Sequence, residues 1–255
     1  MFPLRDENPT LSTSLVTFLI IGLNALAWIF VQGLGSSLPL AASICQYGLI
    51  PGELLGTVPP GTRIPLGDGL ACVLAPGASG WSVISSMFLH GGWFHLIGNM
   101  WFLAIFGDNV EDALGSWRFI LFYLLCGIAA AALQVATAPG SVSPMVGASG
   151  AISGVMGAYA VLFPRAPVHV LVFFGFFLTR FVVPAFLMLG YWFFIQLLGG
   201  IPALAGVAGG IAFWAHVGGF LTGVILGRVL CNSARTAACR GRKGRTDRIL
   251  QRYRA

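Results

Sequence analysis

A serine set among small neighbours, and histidines at helical spacing from other polar residues, stand inside otherwise apolar stretches of this sequence. Ser149 lies in Val146-Gly147-Ala148-Ser149-Gly150-Ala151-Ile152-Ser153-Gly154, where no bulky side chain flanks it, so backbone and substrate can approach its hydroxyl. The nucleophile elbow of soluble hydrolases, Gly-x-Ser-x-Gly, does not fit, because Ala151 takes its last place. His95 and Asn99 are four residues apart, hence on one helix face and one turn apart, with His90 just upstream. His216 shares a face by spacing with Ala212, Gly219 and Gly223. Serine is a weak nucleophile until a base takes its proton, and neutral imidazole suits that role near pH 7. These residues suit acyl transfer from Ser149 with His216 as base, a dyad variant of triad logic. His95, Asn99 and the Ser149 backbone N–H are then candidate donors to an oxyanion. The plainer readings are that His95 and Asn99 hydrogen-bond between helices, and that Gly150, Gly154 and Gly157 form a stripe for tight helix packing. Such packing would itself bring Ser149 close to a partner helix.

The elements that position these residues read as membrane spans. Of 255 residues, 57% are hydrophobic and 9% charged, whereas soluble domains carry about 25% charged residues. Six apolar stretches are long enough to span a bilayer, at about 13–33, 93–110, 118–137, 147–163, 176–198 and 210–230. The expected fold is an all-α membrane protein: an N-terminal arm at 1–12, a six-helix domain at 13–230 with an outer loop at 34–92, and a basic tail at 231–255. No cleavable signal pattern precedes the first stretch, which reads as an uncleaved anchor.

The net charge of +6 gathers after the last span, in Arg228, Arg235, Arg240, Arg242, Lys243, Arg245, Arg248, Arg252 and Arg254. Beside a span, such a run reads as cytoplasmic anchoring to anionic lipid and not as a nucleic-acid site. With the tail inside, counting back puts the N-terminal arm inside too, and the 34–92 loop outside, where Arg63 is its one basic residue. Its prolines, Pro51, Pro59, Pro60, Pro65 and Pro76, argue for irregular backbone. Five cysteines without Cys-x-x-Cys spacing indicate no metal or redox centre, and no cofactor is expected. Cys45 and Cys72 fall in the outer loop, where an oxidising exterior permits a disulfide without requiring one. Cys126, Cys231 and Cys239 read as free thiols.

Spans two, four and six all run inward from outside, so His95, Asn99, Ser149 and His216 fall in the first turns of three parallel segments. At about 1.5 Å per residue their depths agree within roughly one or two turns. Asp108, Glu111 and Asp112 close the second span on the opposite side, in what reads as a solvated, salt-bridged turn with Arg118 nearby. Nothing places Glu53 or Asp68 of the outer loop near His216. From Val168 to Leu198 the apolar run is too long for one crossing and holds Arg180 and Pro184, which reads as an interfacial approach and then a tilted or kinked span. Its aromatic side chains, with Phe181, Trp192, Phe193 and Phe194 among them, are expected to face lipid. The 199–210 stretch reads as an uncharged, mobile outer loop.

Three motifs in order carry a family resemblance. His90-Gly91-Gly92-Trp93-Phe94-His95 to Asn99-Met100, Gly147-x-Ser149-Gly150, and Ala215-His216-x-Gly218-Gly219 resemble the signatures of rhomboid intramembrane serine proteases, over about Ser86 to Gly227. The resemblance implies a bacterial-type six-helix core, a water-accessible site opening outward, and cleavage of single-pass transmembrane substrates within or beside their membrane segment. It implies Ser149 as nucleophile, His216 as base, and His95 with Asn99 completing the oxyanion hole. His90 would order the outer loop, Gly147 and Gly150 would support the site, and the fifth span with the 199–210 loop would form a substrate gate and cap. The location implied is a bacterial inner membrane with both termini cytoplasmic. One departure is Ser153, which stands where some members carry an aromatic that stacks on the histidine; Trp214 or a water would then have to orient His216. Two other functions compete: a catalytically silent relative that binds membrane clients, and a transporter. Ser149 together with His216 weighs against the first, and the scarcity of acids in the spans against the second.

Overall fold

The computed structural model describes residues 1–67, 69–74, 80–174, 177–204, 210–232 and 234–235, the side chains at 173, 174, 177, 178 and 203 excepted. In chain order the elements are strand β1 (Phe2–Asp6), helix α1 (Leu15–Leu26) extended by a π-helical turn (Ala27–Val31), α2 (Ser37–Tyr47), α3 (Pro51–Leu54), the hairpin β2 (Arg63–Gly67) and β3 (Leu70–Val73), and α4 (Ser82–Ser85). There follow α5 (Trp93–Leu114), α6 (Ser116–Thr137), α7 (Ser149–Leu162), the hairpin β4 (Pro167–Phe174) and β5 (Phe177–Pro184), α8 (Ala185–Leu204) and α9 (Phe213–Leu230). Among the described residues three helices are long and apolar enough to cross a membrane, α6, α8 as far as Pro202, and α9; the apolar segments Leu15–Val31 and Ser149–Leu162 are shorter.

Helix α7 is the centre of the bundle, with every residue from Gly150 to Tyr159 buried. A helix that is apolar or small all round can be enclosed on every side. Its approach to α9 is backbone on backbone. A Cβ on Gly219 would land on the Gly150 carbonyl oxygen, one on Gly223 on the Gly154 carbonyl, and one on Gly157 on the Phe220 carbonyl. The glycine stripe read from the sequence is thus a contact stripe, and any side chain there would part the helices.

Two of the acids at the C-terminal end of α5, Glu111 and Asp112, are buried and hydrogen-bonded where a solvated, salt-bridged turn was expected. The Glu111 carboxylate, 2% exposed, accepts hydrogen bonds from Val16 N (3.1 Å), Thr17 N (2.8 Å), Thr17 Oγ1 (2.9 Å) and Ser116 Oγ (2.7 Å). Asp112 accepts from Leu11 N, Ser12 N and Ser12 Oγ. The free N–H groups of the first turn of α1 need acceptors, and a carboxylate there also meets the positive end of the helix. Arg118 donates instead to the Leu230 carbonyl, at 3.2 Å.

Two small sheets correct the all-α expectation. Where an interfacial approach was expected before the fifth span, β4 and β5 pair antiparallel from Pro167↔Pro184 to Phe174↔Phe177, and β1 adds antiparallel to β4 from Phe2↔Leu171 to Asp6↔Val168, the span itself following as α8. Val168 and Val170 are fully buried while His169 and Leu171 are not, which is the period of two of a strand. The N-terminal arm is tied down further by hydrogen bonds of Tyr159 Oη to Asp6 and of Trp101 Nε1 to the Pro3 carbonyl (2.7 Å), and by the pair of His169 Nε2 with Glu7 (2.7 Å).

The described residues of 34–92 form short elements and no long helix. Pro39 sits in the first turn of α2, where its missing N–H has no intrahelical partner to lose. Cys45 of α2 and Cys72 of β3 form a disulfide with a Cα–Cα distance of 5.4 Å. This segment also clasps the α6–α7 connection. Leu49 and Met145 exchange two backbone hydrogen bonds (3.0 and 2.7 Å), Gly52 N donates to the Ser141 carbonyl (2.9 Å) and Thr57 Oγ1 to that of Pro139 (2.8 Å). Helix α8 runs through residues 199–204, where a mobile loop was expected, with Pro202 inside it. Asp68, residues 205–209, Cys239 and the basic tail beyond 235 lie outside the described residues, so the expectations placed on them are not addressed by the fold. Cys126 and Cys231 are free thiols.

Candidate active site

Ser149 begins α7, and its approach is set by Gly147, whose φ of +128° is one that residues with a Cβ rarely adopt. Gly147 N donates to the Ser86 carbonyl at 2.9 Å, so the outer segment holds this turn. Ser149 Oγ lies 2.9 Å from His216 Nε2. Helices α7 and α9 bring the two together, because their glycines let the backbones touch one to two turns further in.

A Cβ on Gly147 would stand 2.7 Å from His95 Nε2 and 3.5 Å from Ser149 Oγ. That nitrogen and that oxygen therefore border one small space, which only glycine leaves open. His95 Nδ1 accepts from Gly91 N at 3.2 Å, so the hydrogen of the neutral ring resides on Nε2, on the Ser149 side. Asn99, one turn further along α5, is 8% exposed, and its Nδ2 is buried without a hydrogen-bond partner among the described residues. Buried amide donors are rarely left so.

His90 is fixed through its backbone. Gln32 Nε2 donates to the His90 carbonyl and His90 N to Gln32 Oε1, both at 2.8 Å. The His90 ring packs edge-on against His95, centroids 5.1 Å apart. Burial first, and then the neighbouring His95, push the His90 imidazole down to about 3. A Cβ on Gly150 would stand 2.6 Å from the Ala130 Cβ, so this glycine admits α6 as well.

The family model of the rhomboid domain matches residues 77–233. The chain belongs to the rhomboid family. It is 32% identical over 150 residues to RHOMBOID-like protein 6, mitochondrial, of Arabidopsis thaliana, covering 59% of this chain and 43% of that protein. It is 32% identical over 154 residues to Rhomboid protein 1, mitochondrial, of Saccharomyces cerevisiae, covering 57% and 40%. It is 32% identical over 140 residues to Rhomboid protease GluP of Bacillus subtilis, covering 54% and 26%. The chain thus spans less than half the length of these relatives.

This rhomboid is an integral membrane protein whose predicted site residues Ser149, His216, His95 and Gly147 converge, with Asn99 one turn from His95 and His90 against it. What the sequence reading missed lies on the far side of the His216 ring. Gln196 Oε1 is 2.8 Å from His216 Nδ1, and the Trp192 ring lies 5.8 Å from the imidazole at a tilt of 42°. Trp214, the side chain first considered for this role, instead donates to the Gly200 carbonyl at 2.9 Å. Trp192 and Phe193, expected to face lipid, turn inward onto Phe220, with centroids at 6.2 and 4.6 Å, while Phe181 and Phe194 are exposed. The two ring nitrogens of His216 meet Ser149 and Gln196. A polar residue in an apolar span is a functional candidate by default, and that rule alone would have found Gln196. Gln134 Oε1, which accepts from Ala215 N at 3.2 Å beside His216, carried the same signal.

Proposed function

We propose that this rhomboid is an intramembrane serine endopeptidase of bacterial type, cleaving transmembrane proteins within or next to their membrane segment. The observation that carries the reading is the 2.9 Å contact between Ser149 Oγ and His216 Nε2, at hydrogen-bond length for a nucleophile and its base. His216 takes the Ser149 proton as Oγ attacks the peptide carbonyl and returns it to the leaving amine. Water, deprotonated in turn by His216, then releases the acyl group. His95 Nε2–H, Asn99 Nδ2 and the Ser149 backbone N–H donate to the oxyanion, where one such donor is worth about 3 kcal/mol. Gly147 keeps the space for that oxygen open, Gly150 lets neighbouring helices close in, and His90 packs behind His95.

The proposed topology has six spans, with Leu15–Val31, α5 and α7 joining the three longer helices. Helix α7 has 14 residues, about 21 Å of rise against a hydrocarbon core of about 30 Å. Its Ser149 end is therefore recessed below the outer surface, reachable by water from the outer segment. Helical substrate hides its carbonyls in hydrogen bonds, so the substrate class is a single-pass segment that unwinds locally and carries small residues at the cut. The membrane proposed is a bacterial inner membrane, with both termini cytoplasmic, the site facing outward and the basic tail on anionic lipid. The Cys45–Cys72 disulfide, on the same side as Ser149, supports an oxidising outer compartment.

In proteoliposomes, Ser149→Ala is expected to lose both fluorophosphonate labelling and cleavage of a single-pass reporter. Labelling retained at another residue would remove the mechanism, and reporter capture without cleavage by the wild type would mark a silent relative.

A further inference from the structure

The protease reading uses one nitrogen of His216 and leaves the other without a role. We propose that Gln196 is a positioning residue: its amide oxygen holds the imidazole hydrogen on Nδ1 and so keeps Nε2 free to take the Ser149 proton. The inference rests on the protease reading of the same site.

The contact comes first. Gln196 Oε1 and His216 Nδ1 are 2.8 Å apart, and an amide oxygen only accepts, so the ring nitrogen it meets carries the hydrogen. A neutral imidazole has one such hydrogen, which leaves a lone pair on Nε2 facing Ser149 Oγ at 2.9 Å. The orientation of the amide is itself determined. Gln196 Nε2 donates to the Trp192 carbonyl, one turn back on α8, at 3.4 Å. Turned over, the amide would set two oxygens against each other there and would favour the ring tautomer whose Nε2 cannot accept. Gln196 is 8% exposed, and an amide buried among apolar groups is costly unless it is bonded.

The placement adds a second point. Gln196 and Trp192 belong to α8, not to the two helices that carry the reacting pair. Helix α8 is seated by the Phe193–Phe220 stack at 4.6 Å and the Trp214–Gly200 hydrogen bond at 2.9 Å. A third helix thus supplies the orientation, and it does so with a neutral acceptor where a Ser-His-Asp triad uses a carboxylate. The amide stabilises the imidazolium formed during attack with a dipole instead of a full charge.

The test uses the full chain in proteoliposomes, comparing wild type, Gln196→Met and Gln196→Glu after checking that each melts like the wild type. Fluorophosphonate labelling rates at Ser149, and kcat and KM for a single-pass reporter, are followed against pH. Methionine fills the same volume without the acceptor, so kcat should fall about ten- to a hundredfold with KM within about twofold. Glutamate restores an acceptor, so kcat should recover to within about threefold of wild type, and the acid limb of the rate profile should move up by about one pH unit or more. Wild-type kcat and an unmoved acid limb in Gln196→Met overturn the inference. So does a Gln196→Glu variant as slow as Gln196→Met with the acid limb unmoved, since that is how a packing role behaves. Should the glutamate variant not fold, a kcat loss at constant KM together with an acid limb moved down in Gln196→Met supports the inference, and the same loss with the acid limb unmoved overturns it. Wild-type protein that takes no probe at Ser149 removes the protease reading, an outcome distinct from both.

Discussion

The two ends of α5 hold opposite kinds of buried polarity. At its C-terminal end the carboxylates of Glu111 and Asp112 are filled by N–H and O–H groups from Leu11 and Ser12, the first turn of α1 and the first residue of α6. At its N-terminal end Asn99 Nδ2, and just before the helix both ring nitrogens of His90, are buried and meet no partner among the described residues. Charge in apolar surroundings is tolerated when it is saturated. A donor left over is a cost with no structural return, and it makes sense where negative charge appears only during a reaction. Asn8 Nδ2 and Asn109 Oδ1 are also left over near the carboxylates, so the contrast is between saturated carboxylates and spare donors near Ser149. Under the proposed function, one helix stabilises the fold with one end and serves chemistry with the other.

Substitutions at the two ends should therefore separate activity from stability. The largest effect is expected from Asn99→Ala, with kcat lower by about 10²- to 10³-fold, or about 3 kcal/mol. Its melting should be unchanged or raised, because an unpaired buried donor has gone; a large drop in melting with kcat per folded molecule intact would make Asn99 structural and erase the contrast. Glu111→Gln should do the reverse, lowering unfolding free energy by about 2 kcal/mol with kcat per folded molecule preserved. An activity loss at unchanged stability would break the comparison from the other side.

An effect of similar size is expected on acidification. The His90 imidazole is held at about 3 in the fold against 6.5 ordinarily. Its stability contribution is therefore fully present above the ordinary value and is lost as pH falls toward the folded one, by up to about 1.4 kcal/mol per pH unit. Unfolding measured from pH 7 to 4 should lose that slope in His90→Gln, and equal slopes in both proteins would refute it. The smallest is Glu7→Gln. Its partner His169 stands on the central strand β4 with a side chain 20% exposed, and the Glu7 side chain is 47% exposed, so melting should move by no more than about 0.5 kcal/mol. A larger shift would mean that polarity outside α5 also carries the fold.

The pairing of Ser149 with His216 was legible because helical spacing, span direction and the glycine stripe each follow from residue types in order. Gln196 was readable by its polarity but stood among Trp192, Phe193 and Phe194, and an aromatic crowd in an apolar run draws the eye to lipid. The β4–β5 hairpin was hidden for a different reason. Alternation shows in a sequence when one face meets water, and here Val168 and Val170 face the core while Leu171 on the other face is apolar too. The saturation of Glu111 could not be read at all, since its partners Val16 and Thr17 are more than ninety residues away and two of the bonds come from backbone N–H groups. The prolines from Pro51 to Pro76 argued against a long helix and say nothing of residues 37–47, where Pro39 is tolerated because position within a helix decides whether a proline breaks it.

The glycine-to-carbonyl seam between α7 and α9 constrains how such a protein can diversify. With main chain resting on main chain, no shim of adjustable thickness separates hydroxyl from imidazole, and a one-methyl insertion spoils the joint before it retunes it. Variation in reactivity is thereby diverted to whatever borders the ring from outside that joint, and α8, which makes no such rigid seam, is where a lineage of these chains has room to change.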